Sequence, residues 1–154
     1  MSQQQPEAVP LETFTISAEA ETKTKTRVTA RDFEYTIDEP ENLGGENSAP
    51  TPVEYVSGAW AGCLTVVAHK VADEQDIHIN SLSIDIEGEI DPRKFLGQSD
   101  DPRAGYQELR VNVQVDADAD ADALKAWFDT VESRCPVGDN LTNPTPATTK
   151  LTIE

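Results

Sequence analysis

The sequence is poor in positive charge, in aromatic rings and in sulfur. Twelve lysines and arginines, only six of them lysine, stand against 29 aspartates and glutamates, for a net charge of −17 at pH 7. A chain so acidic has no electrostatic means of holding phosphate backbones or anionic lipid, which excludes nucleic acid and membrane surfaces as partners. Long apolar runs are missing too. The longest, near residues 55 to 69, is too short and too interrupted to cross a bilayer. The first residues, Met-Ser-Gln-Gln-Gln-Pro-Glu, are polar and unlike a secretion signal, so a cytoplasmic location is expected. No glycine-rich phosphate loop and no Ser-His-Asp pattern is present. No cofactor is expected and no metal. A zinc site drawn from Cys63, His69, His78 and Cys135 lacks the short ligand spacings such sites use. The Asp-Ala repeat at 116–122 lacks the glycine and closing glutamate of a calcium loop, and reads as an acidic helix start.

What remains is the pattern of a folded domain. The chain is 37% apolar over 154 residues, enough for one core. Residues 1–10 read as a flexible tail and 11–154 as a single domain. The acidic surplus and scarce lysine suit a protein working at high salt, where screening removes self-repulsion. Residues 12–18 alternate at period two, with Phe14, Ile16 and Ala18 on one face. Val28 and Ala30 alternate next, then Phe33, Tyr35 and Ile37, one residue out of phase. That slip predicts a turn or bulge at Arg31-Asp32. A loop rich in glycine, proline and asparagine follows at 38–50.

A helix is predicted from Pro52 to about residue 74. Thr51 is a suitable N-cap, Pro52 fits the first turn, and Glu54 sits at the capping-box position. The helix is apolar on nearly every side from Val53 to Ala68, so it must be covered on more than one face. Two alternating strands follow, around Leu82–Ile90 and Leu109–Val115. Then comes an amphipathic helix with Leu124, Trp127, Phe128 and Val131 at helical spacing. A short turn or helix after Cys135-Pro136 and a strand at 148–154 complete the order β-β-β-α-β-β-α-β, an α+β class.

Cys63 lies in this apolar helix between Gly62 and Leu64, with Gly58 one turn earlier. An ordinary buried cysteine is one reading. The two glycines on one face offer another, since they allow a partner helix or a substrate close approach. Cys135 stands before a proline, at the N-cap of whatever helix begins there, where free amides favour a thiolate. It also marks the end of the preceding helix. Spacing alone does not bring it to Cys63.

Three stretches carry a resemblance: Leu43-Gly-Gly-Glu-Asn-Ser-Ala-Pro-Thr-Pro-Val-Glu-Tyr, Ala59-Trp-Ala-Gly-Cys63-Leu and Glu132-Ser-Arg-Cys-Pro-Val137. Together with the element order, they resemble the OsmC/Ohr family from about residue 25 to the end. The resemblance implies an intertwined homodimer, with central helices wrapped by sheets that both chains build. It implies a thiol peroxidase acting on organic hydroperoxides and regenerated by an external dithiol of lipoyl type. Cys63 then corresponds to the peroxide-attacking thiol and Cys135 to the resolving one. A thiolate in an apolar pocket needs a cation nearby. The family's arginine, near the turn after an early strand, is best matched by Arg31 and next by Arg27.

One departure stands out. Peroxidase members carry a glutamate directly after the helix-starting proline, where this chain has Val53; Glu54 follows one position later. On a straight helix Glu54 lies about 13 Å along the axis from Cys63 and on the opposite face. It could assist only from the other subunit or after a distortion. This placement resembles a less characterised, OsmC-like branch. It leaves a second expectation open: a dimer of the same scaffold that binds an apolar small molecule without turnover.

Overall fold

The computed structural model describes residues 9–153. It falls into two compact units, Met1–Pro52 and Val53–Glu154. Most of the expected 1–10 tail lies outside the described residues.

The first unit is a three-stranded antiparallel sheet in sequence order: β1 (Ile16–Ala20), β2 (Thr26–Ala30) and β3 (Phe33–Ile37). β1 begins later than the alternation suggested, so Phe14 precedes it and is 90% exposed. The β1–β2 turn is closed by Thr22, whose hydroxyl accepts from the Thr24 and Lys25 amides. Between β2 and β3 only Arg31 and Asp32 intervene, with Ala30 paired to Phe33. Arg31 takes φ +55°, a left-handed conformation that costs a non-glycine residue roughly 1–2 kcal/mol. Its guanidinium lies 5.1 Å from the Phe33 ring centroid, a favourable cation–π distance. The slip in alternation is therefore a two-residue turn. Its effect is to keep one face continuous: Ala18, Val28 and Tyr35 align across the strands, as do Ile16, Ala30 and Phe33.

After β3 the chain forms a loop with one 3-10 turn, Glu41–Leu43. Asp38 organises it from within. This carboxylate is fully buried and accepts from the Thr24 hydroxyl (3.0 Å), the Glu46 amide (3.2 Å), the Ser48 amide (3.1 Å) and the Ser48 hydroxyl (2.8 Å). The Ser48 amide and the further bonds outweigh burial and hold it well below the usual carboxylate range. Gly45 admits no side chain, because a Cβ there would lie 1.7 Å from the Glu39 carbonyl oxygen.

The second unit contains α1 (Pro52–Glu74), β4 (Ile79–Ile90), β5 (Tyr106–Ala117), α2 (Ala121–Arg134) and α3 (Pro136–Thr142). β4 and β5 are antiparallel, pairing Leu82 with Val115, Ile84 with Val113 and Ile86 with Val111. Their apolar face packs on a core of Leu64, Ala68, Val71 and Ala72 from α1 and Trp127 and Val131 from α2. The Trp127 indole donates to the Ala68 carbonyl at 3.0 Å, so the largest buried side chain is also hydrogen-bonded. On the outer face Arg110 pairs with Glu87, Glu89 and Glu108. The Asp-Ala repeat ends β5 and starts α2: Asp120 is the N-cap and accepts from the Ala123 amide at 2.8 Å.

The closing strand expected at 148–154 does not form across residues 148–153. Leu151 and Ile153 are more than four-fifths exposed. A strand needs a neighbour for its backbone groups, and no described strand pairs with this segment.

Candidate active site

The second unit brings the two cysteines together. Cys63 is half-buried on α1, packed against the core to which Cys135 belongs. Cys135 ends α2 and caps α3, its sulfur accepting from the Gly138 amide at 3.3 Å. The two thiols are neighbours in that packing. Burial pushes the Cys135 thiol upward, and the neighbouring Cys63 adds to this; the Gly138 and Val137 amides pull it back. The N-cap position alone suggested a thiolate there. Dehydration of the sulfur outweighs the amides instead and favours the Cys135 thiol over its thiolate.

A cavity of about 500 Å³ opens beside Cys135, walled by Trp60, Leu64, Val111 and Phe128 and bordered by Glu132 and Asp139. Trp60 matters here, and sequence reasoning passed over it. Its indole N–H is buried without a hydrogen-bond partner among the described residues. Buried donors are nearly always paired, so an unpaired one at a cavity marks a place for an acceptor. A Cβ built on Gly138 would sit 2.9 Å from Trp60 Nε1 and 3.4 Å from Cys135 Sγ. Glycine at 138 thus leaves the indole N–H and the sulfur facing one notch. A second cavity of about 420 Å³ also borders Trp60, lined by Val53, Val56, Leu109, Leu141 and Arg103.

The other expected residues are placed as follows. Glu54 is in the first turn of α1. It stands nine positions before Cys63 on the helix, so the two are on opposite faces. In the first unit, Arg31 occupies the β2–β3 turn, over Phe33. Arg27 is engaged by Glu19 at 2.7 Å and Glu21 at 3.8 Å, which makes it the less available guanidinium. Gly58 and Gly62 face open space: a Cβ on either would meet nothing within 4 Å. Val66, on the same stripe, is 69% exposed.

The fold built around these cysteines has known counterparts. An OsmC-like protein from Mycoplasma pneumoniae superposes with a TM-score of 0.73 at 20% identity, over 84% of this chain and 87% of that one. An organic hydroperoxide resistance protein OsmC from Legionella pneumophila gives 0.65 at 19% identity, over 87% and 92%. The organic hydroperoxide resistance protein OhrB of Bacillus subtilis gives 0.57 at 18%, over 86% and 93%. No curated protein matches the chain significantly. The profile of the OsmC-like protein family matches residues 45–150, a span that holds both cysteines, and the chain belongs to that family.

Proposed function

We propose that this protein is a cysteine-based peroxidase that reduces organic hydroperoxides. The observation that carries the reading is the meeting of Cys63 and Cys135, from α1 and the α2–α3 junction, beside an apolar-walled cavity. The Cys63 thiolate attacks the peroxide O–O bond, becomes a sulfenic acid and releases an alcohol. The Cys135 thiol condenses with the sulfenic acid, forming a disulfide and water. A thiol held protonated until needed suits that second role. An external dithiol returns both sulfurs to thiols. Arg31 supplies the positive charge for the leaving oxygen, with Arg27 as the alternative, and Glu54 assists only from another subunit. The apolar cavity wall favours bulky organic peroxides over hydrogen peroxide. Hydroperoxide resistance proteins among the fold's relatives support the same chemistry.

The working unit we propose is a homodimer in the cytoplasm. The bare stripe of Gly58, Gly62 and Val66 on α1 supports it, since such a face on a helix is closed by a partner. Residues 11–154 act as one domain within it.

A peroxide-consumption assay with a dithiol present tests the reading. Cys63→Ser is expected to lose at least about 100-fold in rate, the scale of a missing nucleophile. Cys135→Ser is expected to turn over once and then accumulate sulfinic acid. Undiminished activity in Cys63→Ser would end the proposal. A second reading, a binder of apolar small molecules, draws on the cavity at Val53, Val56 and Leu141. It requires that a stoichiometric hydroperoxide pulse leave both thiols unlinked by mass spectrometry.

A further inference from the structure

The cavity beside Cys135 carries a charged rim that an apolar hydroperoxide does not need. Its floor is apolar, with Trp60, Leu64, Val111 and Phe128, and its rim is anionic. Glu132 and Asp139 stand exposed at that rim. Asp129 stands there too, partly offset by Lys125 at 3.6 Å, and Asp139 also accepts from Asn143 at 2.8 Å. The Cys135 sulfur, buried from bulk solvent, forms part of the wall, whereas Cys63 does not. The unpaired Trp60 N–H and that sulfur face the same notch over Gly138.

Resting on the peroxidase reading, we infer that this cavity is the port through which the disulfide is reduced, and that it admits neutral or cationic dithiols and repels anionic ones. The chemistry has a direction. One thiolate of the dithiol attacks the Cys135 sulfur, the Cys63–Cys135 bond breaks, and its electron pair leaves on Cys63, which takes a proton. The second thiol of the reductant then attacks the reductant's own sulfur in the mixed disulfide. Cys135 departs, takes a proton, and the reductant leaves as a cyclic disulfide, having given two electrons. Only Cys135 of the pair lines the cavity, so a reductant entering there meets that sulfur and expels Cys63. Carboxylates at a cavity mouth with low-dielectric walls focus a negative potential into it, and an anionic reductant meets that barrier.

The test uses two reductants with the same dithiol and one charge of difference, dihydrolipoamide and dihydrolipoate. The disulfide is made with diamide, independently of any peroxide, and its reduction is timed at low salt. The neutral reductant is expected to be about tenfold faster, with the gap closing as salt rises. Glu132→Gln with Asp139→Asn is expected to shrink the gap at least about twofold. Asp85→Asn with Glu87→Gln, an equal charge change on the outer face of β4, is expected to leave most of it. Ser133→Trp, which narrows the mouth, is expected to slow reduction of the diamide-made disulfide by both reductants severalfold. Equal rates in the parent protein, or a preference lost to the β4 pair and kept by the rim pair, would overturn the inference. So would failure of diamide to link the cysteines. A disulfide formed by diamide but not by hydroperoxide sinks only the peroxidase reading.

Discussion

The molecule contains two sheets written in the same alternating code, and they meet different ends. β4 and β5 lay their apolar face on α1 and α2, and Leu82, Ile84, Val111 and Val115 are packed away. The β1–β2–β3 sheet aligns an equally continuous apolar face, yet Ile16 is 60% and Phe33 62% exposed. Both registers obey the period-two rule. The difference is the supply of cover: the second unit carries its own α-helices, and the first, among its described residues, carries only a 3-10 turn. α1 repeats the contrast around its axis. One face buries Leu64, Ala68, Val71 and Ala72, while the stripe of Gly58, Gly62 and Val66 lies open. Apolar surface left bare in one chain is surface kept for contact with something else.

The largest expected effect is on the self-covered side. Trp127→Ala removes the biggest buried side chain and leaves the Ala68 carbonyl without its partner, which should cost about 3–5 kcal/mol in denaturant unfolding. A loss below about 1 kcal/mol would show that the second unit does not depend on its own core. On the bare side, Phe33→Asp should leave a single chain folded but shift a dimer toward monomer by sedimentation, with the transition moving to at least about tenfold higher concentration. An unchanged dimer would place the contact elsewhere and break the comparison.

Acid sharpens the contrast further. The depressed Asp38 carboxyl contributes stability that is complete above the unfolded aspartate value, about 4, and is lost as pH falls through the folded value. Asp38→Asn should therefore be less stable than the parent at neutral pH, and the gap should narrow below about pH 4. Amide exchange in the 38–50 loop reads this locally. Protection that stays put in the variant would remove Asp38 as the organiser of that loop.

The smallest effect concerns the surface. With −17 net charge, added potassium chloride should raise the midpoint of thermal unfolding by screening. Neutralising Glu87 or Glu89 beside Arg110 should change that midpoint by no more than about 1 °C, as exposed pairs contribute little. A salt-insensitive midpoint would count against a high-salt habitat.

Much of this was readable before any coordinates. The bounds of α1, the acidic start of α2, the turn at Arg31-Asp32 and the α3 cap at Cys135 are local features. Proline at a first turn, a capping side chain and a broken alternation act over a few residues. The closing strand failed for the opposite reason. The alternation of Leu151 and Ile153 is present, but a strand exists only where another offers its backbone groups, and that is not local information. Asp38 gave no signal among 29 acidic residues, since what distinguishes it is the set of donors folded around it. Trp60 looked like one more apolar residue in an apolar helix until its N–H was found without a partner.

For the candidate site, the sequence by itself determined the two candidate thiols and their local settings: one in an apolar helix, and a second at a helix junction with acidic residues close by. Only tertiary structure decided that the two sulfurs meet, that dehydration outweighs the helix start at Cys135, and that a cavity with an anionic rim reaches one sulfur. Hydrogen-bonding patterns and periodicity act over a handful of residues. Dehydration, cavities and the field at a rim are made by side chains distant in the chain and close in space.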